Sequence, residues 1–265
     1  MFSLNKSKNR CRHFRKKILE MSQRVEALHI SSAFSSTEIV ENIYFNLMNL
    51  NKKNQDIFIM SKGHGCLIQY VILEKLKILK KRDIELYCKK DGILGCHPDI
   101  QNPGIEASTG SLGHGLGIAV GMCLANKNLN NNKKCFVVLS DGELQEGSTW
   151  EAILIASSLK LNNLIVYVDN NNYQSLGKTS ETHPSFYPLK DKFKSFGWEC
   201  FEVNGHNTLE LYKSFKMWKE KKPLIIIAKT IKGFPVSFMI DNPIWHYRSP
   251  NIQELEKAMT DINKS

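Results

Sequence analysis

Two short runs carry the groups most able to do chemistry. Ser140-Asp141-Gly142-Glu143 follows the apolar segment Cys135-Phe136-Val137-Val138-Leu139. Asp169-Asn170-Asn171-Asn172-Tyr173 follows Leu164-Ile165-Val166-Tyr167-Val168. An Asp-Gly step alone reads as a tight turn. Here an amide oxygen, that of Asn171, comes thirty positions after the Asp141 carboxylate, about one strand-helix-strand unit. Hard oxygen donors delivered from the ends of successive strands suit Mg²⁺, which takes its remaining ligands from phosphate oxygens and water. Gly142 lets backbone approach a diphosphate closely. The metal expected here is a template that anchors the diphosphate, not a Lewis acid on a substrate.

Four histidines, His29, His64, His97 and His246, fall in predicted loops. A single loop histidine is ordinarily a surface residue. A set of them could donate hydrogen bonds or shuttle protons for chemistry on hydroxyls and carbonyls. In Gly110-Ser111-Leu112, Gly110 allows close backbone approach and Leu112 offers an apolar surface under a ring. The plainer reading is a turn ahead of the helix at Gly115. Glu146 reads equally well as an acid complementing a helix N-terminus.

The elements that must position these groups alternate. Strands are expected at 57–60, 135–139, 164–168, 199–203 and 224–229. Helices are expected at 10–27, from Ser36 onward, after the Ser61-Lys62-Gly63-His64-Gly65 loop through about Leu79, and from Gly115. Further helices are expected at 147–159, 186–196 and 207–220, with a short one at the end of the chain. Leu28-His29-Ile30-Ser31-Ser32 reads as a loop. Residues 91–114, rich in Gly and Pro, form a long loop of the kind that is usually functional. Later strands such as Leu224-Ile225-Ile226-Ile227-Ala228 are continuous apolar runs, as in a parallel sheet buried on both faces. The fold class is α/β: a doubly wound, mainly parallel sheet with helices on both faces. Ligands of such sheets sit at the carboxyl ends of strands, where Asp141, Asn171 and the 230s loop fall.

The 265 residues are enough to bury roughly three quarters of the unfolded surface. They read as a single diphosphate-binding domain, 1–265. No apolar run approaches the roughly 20 residues of a membrane span, and no secretory signal is evident at the start. The basic stretch Arg10 through Lys17 reads as a solvated helix face, with a transit peptide the minor alternative. A net charge of +10 raises nucleic acid as a partner. The cations are scattered without the aromatic interleaving of a single-strand channel, so solubility and attraction for sugar phosphates and diphosphate is preferred. Seven cysteines with no Cys-x-x-Cys pair argue for reduced thiols in the cytoplasm.

Several words resemble transketolase: Ser61-Lys62-Gly63-His64-Gly65, Ser108 through Gly117, Asp141 through Gly147, and Lys160 through Ile165. The Asp-Gly and later Asn are similar to the metal-diphosphate motif of thiamine-diphosphate enzymes, with Ser140 in place of the motif's first Gly. The resemblance runs from about Arg10 to about Pro250. It is closest to the separate amino-terminal subunit of split transketolases. It implies the thiamine-diphosphate-binding fold and a ketol-transferase activity. It also implies thiamine diphosphate with Mg²⁺, or Ca²⁺ or Mn²⁺ in its place, held by Asp141, Asn171 and Tyr173. His64, Gly110, Ser111, Leu112, Gly142, Glu143 and His246 would bind the cofactor. His29 and His97 would face substrate hydroxyls, with His97 a proton-transfer candidate. His114 stands where the family has Gln and receives no role. Glu146 would lie at a subunit interface.

The resemblance also implies a partner. The activating glutamate and the substrate-phosphate arginines of the family lie in a pyrimidine-binding domain, expected here on a carboxy-terminal subunit in an α2β2 assembly. The expected substrates are a ketose donor and an aldose acceptor, both phosphorylated. Around His29, positions where the family keeps Gly carry Leu28, Ser31 and Ser32. Added side chains there would reshape the pocket, pointing to a specialised sugar or reduced activity. Two further readings stand beside this one. One is another thiamine-diphosphate enzyme, of 2-oxo acid dehydrogenase or deoxyxylulose-phosphate-synthase type, which the words at 61–65 and 145–147 argue against. The other is a non-catalytic regulatory subunit, supported by the altered His29 loop.

Overall fold

The computed structural model describes residues 2–175 and 177–265. Five strands, β1 (Ile57–Met60), β2 (Cys135–Ser140), β3 (Leu164–Asn170), β4 (Glu199–Asn204) and β5 (Leu224–Lys229), form one parallel sheet in the order β1-β2-β3-β5-β4. Parallel pairing requires a crossover between consecutive strands. The crossovers and flanks supply helices α1 (Leu4–Ser22), α2 (Ile30–Ser35), α3 (Thr37–Asn42), α4 (Leu67–Lys75), α5 (Lys81–Glu85), α6 (Gly115–Asn128), α7 (Gly147–Ser158), α8 (Thr179–Thr182), α9 (Leu189–Ser195), α10 (Thr208–Met217) and α11 (Ile252–Lys264).

Side-chain alternation along the strands sorts the interior into two cores. Phe136, Val138, Ile165, Tyr167, Leu224 and Ile226 face a core completed by α1, α3, α4, α10 and α11, through residues such as Phe14, Ile39, Ile68, Leu211 and Ile262. Cys135, Val137, Leu139, Leu164, Val166, Val168, Ile225 and Ile227 face a second core completed by Leu116, Ala119, Ile153 and Phe193 of α6, α7 and α9. All of β2 is buried. Truncating Phe136 to Ala would cost about 3–5 kcal/mol through lost burial and the cavity left behind.

Four expectations are corrected. The loop assigned to 28–32 is helical from Ile30, and the Leu28 side chain, 1% exposed, belongs to the core, not to a cleft. The first helix begins at Leu4, six residues earlier than expected, because its first turns are tied to α3: Ser7 and Arg10 both donate to Glu41. The basic stretch is no solvated face. Arg15 is buried and bonds Glu38 through both terminal nitrogens, at 2.6 and 2.7 Å, while Lys17 pairs with Glu74. The helix expected from 186 starts only at Leu189, after a separate turn at Pro184–Phe186.

Candidate functional site at the carboxyl ends of the strands

Because every strand runs the same way, the segments after β1, β2, β3 and β5 emerge on one edge. After β1, Ser61 to Gly65 turns beneath the long loop. Thr109 Oγ1 donates to Met60 O at 2.6 Å, fastening that loop to the strand end. The approach is close: a Cβ on Gly63 would lie 2.8 Å from the Gly110 nitrogen, and one on Gly110 would lie 2.9 Å from the His97 ring. Gly110 also has φ +149°. Both positions therefore require glycine.

Four histidines from four separate segments converge. The His29 ring lies 5.3 Å from His64, 6.3 Å from His97 and 5.1 Å from His246, centroid to centroid. His64 and His246 are 5.9 Å apart. Burial depresses all four. His29 falls to about 4, with His97 and Lys232 adding repulsion. His246 falls to about 3 through burial and then Lys232. His64 is lowered well below its ordinary value by burial and then Lys62, and His97 is lowered by burial. The site thus presents neutral imidazoles at neutral pH, able to accept and donate hydrogen bonds.

Asp141 closes the next strand. Its Oδ1 accepts from Gly142 N at 3.0 Å, and its Oδ2 accepts from Asn172 N at 2.6 Å and Thr179 Oγ1 at 3.1 Å. Burial, followed by repulsion from Asp169, pushes its carboxyl up to about 7. Asn171 Oδ1 accepts from Tyr173 N at 3.0 Å. Asn172 N on the Asp141 carboxylate ties the two strand ends together, so the carboxylate, amide and following backbone share one corner. No group of three His, Cys, Asp or Glu side chains forms a metal cluster among the described residues. One carboxylate with neutral oxygens is instead a donor set that fits a hard dication whose other ligands come from a bound diphosphate. A dication would also relieve the charge penalty on the buried Asp141.

Three functional-looking residues escaped the sequence reading. Asp169, fully buried, accepts from Lys62, from Ser35 Oγ at 2.6 Å, from Asn171 Nδ2 at 3.1 Å and from Thr230. Burial alone would raise its carboxyl, but Lys62 and the hydroxyl donors overcome it and hold it below the usual range. Lys62 also donates to Ser32 O at 3.0 Å. Lys232 Nζ stands 2.7 Å from His246 Nδ1 and 5.5 Å from the Tyr173 ring centroid. Burial and the neighbouring Lys62 lower it to about 8. Lys62 is paired with Asp169, so Lys232, beside His246, is the cation at this corner suited to an anion. Lys62 lies in the 61–65 word and Asp169 opens the Asn run, so both were in view without a role.

Other expected residues lie around this centre. Glu143 is buried and accepts from Ser61 Oγ and, at 3.0 Å, from Gly113 N. Its side chain therefore braces the Gly110 loop from behind. Ser111 and Leu112 sit on the loop's outer side, exposed and half-buried respectively. Gly142 faces Gln174, 3.2 Å from where a Cβ would stand. Glu146 is exposed at the start of α7 and is not brought into the histidine cluster. A separate cleft of about 390 Å³, at the opposite end of the sheet, is lined by asparagines with Lys127 and Lys134. Its cations are already engaged, Lys127 by helix carbonyls and Lys134 by Glu220.

Comparison with known proteins agrees with this geometry. Residues 11–249 match the family described as transketolase, thiamine diphosphate binding domain. The chain is 34% identical over 257 residues to one of the subunits of the apulose-4-phosphate transketolase of Phocaeicola vulgatus, covering 94% of this chain and 91% of that one. It is 34% identical over 258 residues to a 6-deoxy-6-sulfo-D-fructose transketolase subunit of a Clostridium species, covering 94% of each. The crystal structure of transketolase from Campylobacter jejuni superposes with a TM-score of 0.91 at 25% identity, covering 99% of this chain but 43% of that one. This chain therefore spans less than half of that solved transketolase.

Proposed function

This chain belongs to the transketolase family, and we propose that it is the diphosphate-binding subunit of a split transketolase, moving a two-carbon ketol unit from a ketose phosphate to an aldose phosphate. The observation that carries this reading is the meeting, on one sheet edge, of the Asp141–Asn171 oxygen corner with the cluster of His29, His64, His97 and His246. Relatives matched over almost their whole length are themselves single subunits of transketolases. A carboxy-terminal partner carrying a pyrimidine-binding domain, in an α2β2 assembly, is part of the proposal, as is residues 1–265 forming one domain.

Asp141, Asn171 and Tyr173 would hold Mg²⁺, or Ca²⁺ or Mn²⁺ in its place. Lys232 and His246 would receive the diphosphate, with Gly142 leaving room for it. The Gly110-Ser111-Leu112 loop would support the cofactor ring. Thiamine diphosphate, when bound, supplies the nucleophilic carbon and the electron sink for breaking and remaking a carbon–carbon bond. The protein positions the sugar. Neutral His29 and His97 exchange hydrogen bonds with its hydroxyls, His97 taking and returning a proton at a substrate oxygen, while His64 lies near the diphosphate and the reacting centre. Glu146, exposed at the head of α7, would meet a second protomer. Among the described residues no helix is long and apolar enough to cross a membrane, and all seven cysteines are free; the proposed setting is the cytoplasm and carbohydrate metabolism.

The test is ketol transfer by the purified chain with thiamine diphosphate and Mg²⁺, with and without the co-expressed partner. Activity is expected only in the complex. Robust turnover by the chain alone would overturn the split-subunit reading.

A further inference from the structure

The residue following the histidine cluster has no role in any motif, yet it forms part of the cluster. The Tyr247 ring lies 4.6 Å from the His29 ring, nearer than any of the three histidines, at an interplanar angle of 45°. The four imidazoles are half-buried, whereas Tyr247 is 54% exposed. It therefore stands on the more exposed side of the histidine cluster.

Its backbone is clamped on both sides. Before it, Trp245 is buried and packs on Phe238 at 5.0 Å. After it, Arg248 N donates to Leu28 O at 3.2 Å, its guanidinium lies 4.2 Å over the Trp245 ring, and its Nη2 bonds Glu254 at 2.6 Å. A tyrosine side chain has only two torsions to fix. Held between such anchors, it presents a preorganised apolar face at small entropic cost.

The two kinds of side chain divide the recognition of a sugar. Imidazoles bond the hydroxyls near the reacting carbons. An aromatic face on the more exposed side packs against the C–H edges of the carbon chain farther out. The residues first suspected of setting the substrate range do not reach this place: Leu28 is in the core, and Ser31 and Ser32 are buried in α2. The carbonyl of Leu28 instead helps to hold Tyr247 through Arg248.

We propose that Tyr247 is a specificity-determining residue, an aromatic wall that selects ketose donors by the carbon chain extending beyond the ketol unit. This rests on the transketolase reading above. The experiment uses the complex of this chain with its partner, loaded with thiamine diphosphate and Mg²⁺. Donors are hydroxypyruvate, which has no carbon chain beyond the group it loses, D-xylulose 5-phosphate and D-fructose 6-phosphate. Tyr247→Ala should raise KM for the six-carbon donor by about five- to tenfold, as expected for loss of one aromatic contact. Its KM for hydroxypyruvate, its kcat and its cofactor affinity should stay near parent values. Tyr247→Phe should keep the parent ranking of donors.

An equal KM rise for all three donors, or no rise for any, would overturn the wall. So would a Phe variant that behaves like Ala, since the hydroxyl would then be the recognising group. Failure of the parent complex to transfer a ketol unit from any donor would instead overturn the transketolase reading, and this inference with it. A lowered thermal midpoint in Tyr247→Ala with unchanged donor ranking would show a structural role only and equally refute the proposal.

Discussion

Lys62 and Asp169 form an ion pair in which neither side chain has any exposure to solvent. They come from the loop after β1 and the end of β3, which β2 separates in the sheet, 107 positions apart in sequence. Breaking such a pair leaves one uncompensated buried charge. Lys62→Met should therefore cost about 3–5 kcal/mol of stability, more than replacing both partners together. Urea unfolding of the single variant against Lys62→Met/Asp169→Asn checks this. A loss under about 1 kcal/mol in the single variant would mean the pair is solvated in solution.

Asp141→Ala and Asn171→Ala should each weaken Mg²⁺-dependent binding of thiamine diphosphate in the assembled complex tenfold or more, about 1.4 kcal/mol. Calorimetry reads the affinity directly. Parent-like binding in both variants would remove these residues from the metal corner.

His97→Ala should lower turnover about 10²–10⁴-fold, the usual contribution of a positioned proton-transfer group, while cofactor affinity is retained. Its ring packs against Gly110, so the control is the affinity measurement itself. Collapse of binding with full turnover on the bound fraction would reassign His97 to the cofactor.

Acid should destabilise the unliganded chain through the histidine cluster. Folded-state values of about 4 for His29 and about 3 for His246 lie below the ordinary 6.5. The stability that these neutral rings permit is present above 6.5 and is lost as pH falls toward 4 and 3, because the unfolded chain binds the protons first. Thermal midpoints between pH 7 and pH 4 should fall less in His29→Asn and His246→Asn than in the parent. An identical slope in all three proteins would contradict the buried, neutral state of these rings.

Introducing glycine together at Leu28, Ser31 and Ser32 should damage the fold without changing donor preference. Leu28 is a core side chain, and removing such a group costs about 2–5 kcal/mol. Each glycine in α2 adds about 0.5–1 kcal/mol. Unfolding midpoints and donor ratios of kcat/KM are the two readouts. A shifted donor ratio with a parent-like midpoint would return the specificity role to this segment.

The sheet was legible in the sequence because β1, β2, β3 and β5 are short, largely apolar runs separated by turn signals. Only the strand ends moved, as with β3 reaching Asn170. The oxygen donors were legible from the spacing of Asp141 and Asn171. The environment of Arg15 was not, because its partner Glu38 lies on another helix and a basic run looks the same solvated or paired. The same holds for Lys62 and Asp169. Ionic pairing across a fold leaves no periodicity. Tyr247 was hidden for a different reason: a residue next to a candidate-site histidine carries no motif, and only the fold brings its ring to His29.

The division of the strands between two cores has a consequence for how this chain can change over time. Because β2 and β3 are buried on both faces, adding or deleting one residue within either would exchange their contents between the two cores. It would also displace Asp141 or Asn171 by about 3.3 Å along the strand. The strands thus act as a fixed ruler for the edge that carries the candidate site. Lineages can vary side chains at the rim or the length of the loop before α6, but insertions and deletions inside the ruler should be purged.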